Sequence, residues 1–180
     1  MGCPAQRVLE FAGTRHHART LMVLLRTLLV LGRVSNLPTV WSYCLAGWLL
    51  AGGGDWNRFG WLCTGATLVY LGGMFLNDAF DAEFDTQHRR ERPIPAGAIT
   101  RSAVWQGSVV LLAAGTGMLC WLGREPAILA LQLLACVIVY DAAHKHVTWS
   151  PVLMAACRFF LLLTAASAGV RGVEGLAIWS

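Results

Sequence analysis

Four stretches of this chain run without a single Asp, Glu, Lys or Arg: Val34 to Gly54, Phe59 to Asn77, Ser102 to Gly123 and Pro126 to Tyr140. A helix needs about 20 apolar residues to cross roughly 30 Å of hydrocarbon, because each residue adds about 1.5 Å. The first three runs, of 21, 19 and 22 residues, meet that length. The fourth has 15 residues but is apolar throughout, and reads as a span that begins near Leu122. A fifth candidate opens at Ser150-Pro151, a pair suited to a helix N-cap and first turn, and continues to Val170 with Arg158 inside it. The expected fold is all-α, a polytopic membrane bundle of about five transmembrane helices. Composition agrees: charged residues are 13% against about 25% in ordinary soluble domains, and mean hydropathy is +0.55. A soluble chain of 180 residues would have to hide that apolar surface in one small core.

The charges that remain are placed unevenly. Arg7, Arg15, Arg19, Arg26 and Arg33 precede the first span, Arg89, Arg90, Arg92 and Arg101 follow the second, and Lys145 follows the fourth. Only Arg58, Arg124 and Arg171 fall on the opposite side. This is a positive-inside pattern, and it places the N-terminus and the loops after spans two and four in the cytoplasm. The net charge of +4 is thus a signal of orientation and gives no reason to expect a nucleic-acid partner. The predicted location is integral to a bacterial cell (inner) membrane. Residues 1–19 read as a cytoplasmic tail and residues 20–180 as one transmembrane domain. Within it, Thr20 to Val34 reads as an amphipathic helix on the cytoplasmic face. The six cysteines form no C-x-x-C pair and read as small packing residues. Trp41, Trp56, Trp61, Trp149 and Trp179 stand near span ends, where tryptophan anchors to the interface.

Five of the ten acids crowd into one stretch: Asp78, Asp81, Glu83, Asp85 and Glu91. If the second helix continues through it, Asn77, Asp81 and Asp85 recur at i, i+4 and i+8, with Asp78 three before Asp81. That spacing puts these four on one helical face and turns Glu83 away from it. Stacked like charges repel, and a divalent cation relieves the repulsion. Magnesium prefers oxygen ligands, commonly one or two carboxylates completed by phosphate oxygens and waters. Arg89 and Arg92 follow directly, and guanidinium matches phosphate geometry bidentately. Pro93, Pro95 and Gly97 then stop the helix and shape a loop. The pattern fits a site for Mg²⁺ and a diphosphate; its plainer reading is a solvated acidic helix end beside arginines.

The motif N-D-x-x-D-x-x-x-D followed by R-x-x-R-P-I-P-x-G resembles the first aspartate-rich motif of the UbiA superfamily of intramembrane prenyltransferases. Arg33-Val34-Ser35-Asn36-Leu37-Pro38-Thr39-Val40-Trp41 is similar to that family's first helix, and Tyr140-Asp141-Ala142-Ala143-His144-Lys145 resembles its Y-x-x-x-K-R element after helix four. The resemblance covers about Arg33 to Gly169. It implies a helical bundle with a cavity open to lipid, and Mg²⁺-dependent transfer of a prenyl group from its diphosphate to an aromatic or other lipophilic acceptor. It implies metal contacts from Asn77, Asp78, Asp81 and Asp85, and a reacting-centre role for Tyr140. It also implies substrate contacts from Arg33, Asn36, Arg89, Arg92, His144 and Lys145. Arg158 reads either as a further substrate contact or as a side chain reaching back to the cytoplasmic face.

The resemblance has a limit. The family has nine helices and a second D-x-x-x-D motif, whereas the acids here after Glu91 are Glu125, Asp141 and Glu174, no two of them four apart. The expectation is therefore a partial domain that, alone, has little or no transferase activity, with a separately encoded C-terminal half as one possible partner. CDP-alcohol phosphotransferases do not fit, because Asp78-Ala79 is not Asp-Gly and no Ala-Arg follows. The alternative reading is a non-catalytic membrane subunit or transporter with an acidic cation site.

Overall fold

The computed structural model of the chain describes residue 22, residues 25–143 and residues 150–174. The tail 1–19, His144, Lys145, Trp149 and Trp179 lie outside the described residues. Five main helices follow in order: α1 Leu37–Leu50, α2 Trp56–His88, α3 Arg101–Trp121, α4 Arg124–Ala143 and α5 Ser150–Ser167. Residues 25–31 are also helical. Leu31 at the end of that segment is fully buried against Phe75, Ala79 and Val104, while Leu25, Leu29 and Val30 stay exposed. The exposed side of the segment is thus largely apolar, unlike the polar outer face expected of an amphipathic helix.

Helix boundaries follow local chemistry. Asp55 caps α2 by accepting from the Asn57 amide at 3.0 Å, and Thr100 caps α3 by accepting from Ala103 at 3.3 Å. Each side chain satisfies an amide that has no partner within the helix. The 33 residues of α2 run unbroken through the acidic motif, so the shared face expected for Asn77, Asp78, Asp81 and Asp85 exists. Past His88 the chain turns; Ala96 donates to the Arg92 carbonyl at 2.9 Å, and Gly97 takes a left-handed φ of 73°.

The first span differs from expectation in length. The uncharged run of 21 residues yields a helix of 14, about 21 Å long. Its near end is consumed by a 3-10 turn at Val34–Asn36, which follows Arg33 in a left-handed conformation. Its far end is consumed by Gly52, Gly53 and Gly54, all with positive φ. The other four helices are each long and apolar enough to cross a membrane.

Successive helices pack side by side, and α5 returns to lie on α1. Val170 and Arg171 donate backbone hydrogen bonds to Gly53 and Ala51, both at 2.9 Å, which ties the far ends of α1 and α5 together. The α2–α3 contact is a close one. A Cβ on Gly115 would stand 2.7 Å from the Val69 nitrogen and 2.8 Å from the Gly65 oxygen. Small residues at such crossings let backbones approach where water cannot drive association. Ser108 adds a buried hydrogen bond to the Gly72 carbonyl at 2.9 Å. The main core lies among Cys44, Trp48, Leu62, Val69, Leu119 and Leu133. This scaffold brings the end of α2, the start of α1 and the end of α4 to one end of the bundle.

Candidate active site

Arg33 is where three elements meet. Its backbone is left-handed, with φ 43°, a conformation rare outside glycine and found at strained functional positions. The Tyr70 hydroxyl of α2 donates to its carbonyl at 3.2 Å. Its Nη2 donates to Asn77 Oδ1 at 3.3 Å and Asp78 Oδ1 at 3.4 Å. The turn before α1 is therefore held on the acidic face of α2.

Arg92 closes the same cluster from the loop after α2. Its Nη1 stands 2.8 Å from Asp78 Oδ1 and 3.2 Å from Asp85 Oδ2. Asp78 thus lies between two guanidinium groups, and Asp85 is almost fully buried beneath Arg92. Carboxylates this buried persist only with cations or hydrogen bonds beside them. Asp85 Oδ1 is nevertheless buried without a hydrogen-bond partner among the described residues. Asp81 sits near enough to Asp78 and Asp141 to repel their charges.

Asp141 was not among the residues singled out by motif. It is buried at the end of α4, and its Oδ1 accepts from Asn77 Nδ2 at 3.3 Å. Asn77 therefore links Arg33 on one side to Asp141 on the other. The available signal was its place beside Tyr140 in an apolar helix, where a lone acid is a functional candidate.

A cavity of about 430 Å³ opens beside this cluster, between α1, α2, α4 and α5. Arg33, Asn36, Asn77, Tyr140 and Asp141 are among its polar lining, and Val40, Val69, Leu133 and Leu161 are among its apolar walls. Arg158 also lines it, with Nη2 3.8 Å from Met154 Sδ one turn back. The side chain thus reaches toward the near end while remaining on the cavity. Asp78, Asp81, Asp85 and Arg92 lie behind this lining, and reach it through Arg33 and Asn77. Arg89 and Glu83 are exposed and are not among the cavity's lining residues.

The donor set bears on the expected metal. Among the described residues, no three His, Cys, Asp or Glu side chains converge into a ready cage. Asn77 Oδ1 and Asp78 Oδ1 are engaged by Arg33, and Asp78 also by Arg92. Still, the group is all oxygen, and the buried Asp85 Oδ1 is an acceptor without a donor. Magnesium binds through one or two carboxylates when phosphate oxygens and waters complete its octahedron. The residues fit a metal that arrives with a diphosphate better than one held by protein alone.

The model of the UbiA prenyltransferase family matches residues 14–180. The chain belongs to that family. Digeranylgeranylglyceryl phosphate synthase of Pyrococcus abyssi is 37% identical over 76 residues, which are 41% of this chain and 27% of the relative. The enzyme of that name from Thermococcus kodakarensis is 36% identical over 82 residues, 42% of this chain and 30% of the relative. In Methanoregula boonei the identity is 49% over 47 residues, 25% of this chain and 17% of the relative. The matched region thus spans under a third of these relatives' length. A solved structure from work on the biosynthesis of digeranylgeranylglyceryl phosphate synthase in membranes superposes with a TM-score of 0.78 at 23% identity. It covers 86% of this chain and 56% of that one, and the likeness establishes a shared UbiA-like fold.

Proposed function

We propose that this chain forms the donor side of a Mg²⁺-dependent prenyltransferase, which moves a prenyl group from its diphosphate to a lipophilic acceptor. The observation that carries the reading is the junction of two unlike environments. An aspartate cluster gripped by Arg33 and Arg92 adjoins an apolar cavity between four helices. A prenyl diphosphate has the same two halves, an anionic head and a hydrocarbon tail.

Asp78, Asp81 and Asp85 are the residues proposed to hold the metal, with Asn77 orienting them through Arg33 and Asp141. When bound, Mg²⁺ would supply positive charge against the diphosphate. Arg33 and Arg92 hold further positive charge at the place where negative charge grows as the carbon–oxygen bond breaks and the diphosphate leaves with its electron pair. The apolar wall keeps water from the allylic cation until the acceptor's nucleophilic atom bonds to it and loses its proton. Tyr140 lines the cavity beside Asp141, where its ring would face the reacting carbon.

The relatives' names point to a glyceryl phosphate acceptor in preference to an aromatic one. The Arg-rich end, with the N-terminus, is proposed to face the cytoplasm across a cell (inner) membrane. Replacing both Asp78 and Asp81 with Asn tests the reading. Mg²⁺-dependent binding of a prenyl diphosphate should fall at least about tenfold. Unchanged binding, with altered ion flux, would favour a transporter instead.

A further inference from the structure

We infer that Arg158 is the receptor for an anionic phosphate headgroup on the acceptor, and so a specificity-determining residue; the inference rests on the prenyltransferase reading above. Met154, Cys157, Arg158 and Leu161 line the cavity at i, i+3, i+4 and i+7, with Met154 and Arg158 at its exposed edge and Cys157 and Leu161 packed further in. Arg158 lies about 12 Å along α5 from Ser150, at 1.5 Å per residue, well inside an apolar helix.

Among the described residues Arg158 forms no ion pair, and the Met154 thioether stands 3.8 Å from its Nη2. Asp78 and Asp85 are engaged by Arg33 and Arg92, and Asp141 hydrogen-bonds to Asn77. A guanidinium inside a membrane span is costly unless it meets an anion or a polar path. Its planar fork suits a phosphate bidentately. The donor's diphosphate has its own cations at the aspartate cluster. Arg158 lines the cavity from a different helix, α5, where a second, acceptor-borne phosphate would sit with its chain along the apolar wall.

The test uses the full chain purified in a zwitterionic detergent. Affinities are measured for an alkylglycerol phosphate, for the matching alkylglycerol and for inorganic phosphate. The natural protein should prefer the lipid phosphate to the alcohol by about tenfold or more, as expected for a charge-assisted hydrogen bond pair. Arg158→Gln should remove that preference, and Arg158→Lys should keep part of it; helical content checks that both variants are folded. Undiminished preference in R158Q overturns the inference. Inorganic phosphate competing at equal concentration also overturns it, since the site would then read phosphate without a lipid. Equal loss of Mg²⁺-dependent prenyl diphosphate binding in R158Q would assign Arg158 to the donor and overturn it as well. Absence of Mg²⁺-dependent diphosphate binding in the natural protein would instead sink the prenyltransferase reading itself.

Discussion

Arg92 shows how much one side chain carries at this site. It contacts Asp78 and Asp85 at once, while both carboxylates are more than nine-tenths buried. Removing one partner of such a pair leaves an uncompensated charge, at about 3 kcal/mol toward the lower end of the known range, since Arg92 is itself partly exposed. Arg92→Ala should therefore lower the thermal midpoint of the purified protein. Added Mg²⁺ should raise the midpoint of R92A more than that of the natural chain, because the metal would occupy the same negative potential. A variant as stable as the parent, or one indifferent to Mg²⁺, would count against the electrostatic account. At this scale the sequence was informative where spacing is local. Asn77, Asp78, Asp81 and Asp85 are legible because a helix places i and i+4 on one face. The Arg33–Asp78 contact and the Asn77–Asp141 hydrogen bond join residues 45 and 64 apart. No periodicity reports such pairs, so motif likeness could put Arg33 near the pocket but could not say what it grips. Asp141, a lone acid, had no neighbour at helical spacing to draw attention to it.

At the scale of the helices, uncharged runs located α2 to α4 because hydrocarbon excludes charge over a fixed thickness, and the Ser150-Pro151 start located α5 despite Arg158. The same rule overstated α1. Glycines pass an uncharged-run test as easily as leucines, yet Gly52 to Gly54 end the helix through their positive φ values. Helix contacts were illegible for a related reason: a glycine looks the same in sequence whether it faces a neighbour or lipid. Gly115 and Gly117 separate the two cases. A methyl on Gly115 meets the α2 backbone, whereas one on Gly117 meets nothing within 4 Å. Gly115→Ala should destabilise the α2–α3 pair by about 1–3 kcal/mol through overpacking. Gly117→Ala should be neutral, or stabilising by up to about 1 kcal/mol from helix propensity. Thermal unfolding in one detergent compares them directly. Equal behaviour of the two variants would contradict the close crossing.

Taken whole, the bundle has a chemically divided axis. The near end gathers Arg33, Arg89, Arg92 and Arg101 around the aspartates, with Arg101 donating to the Ala79 carbonyl at 2.9 Å. The far end has Arg58, donating to the Leu122 carbonyl at 2.9 Å, and the hydrogen-bonded junction of α1 with α5. If the near end is cytoplasmic, a cysteine introduced as Glu91→Cys in the exposed loop should react with a membrane-impermeant thiol reagent in inverted vesicles and not in intact cells. The reverse pattern would invert the proposed orientation. The central claim, that the aspartate cluster receives a metal-borne prenyl diphosphate, is met most directly by titrating Mg²⁺ into the purified chain with a prenyl diphosphate and measuring binding. The account predicts binding that requires Mg²⁺ and weakens at least about tenfold in the Asp78→Asn, Asp81→Asn double variant. Binding that is independent of Mg²⁺, or equally strong in that variant, would contradict it.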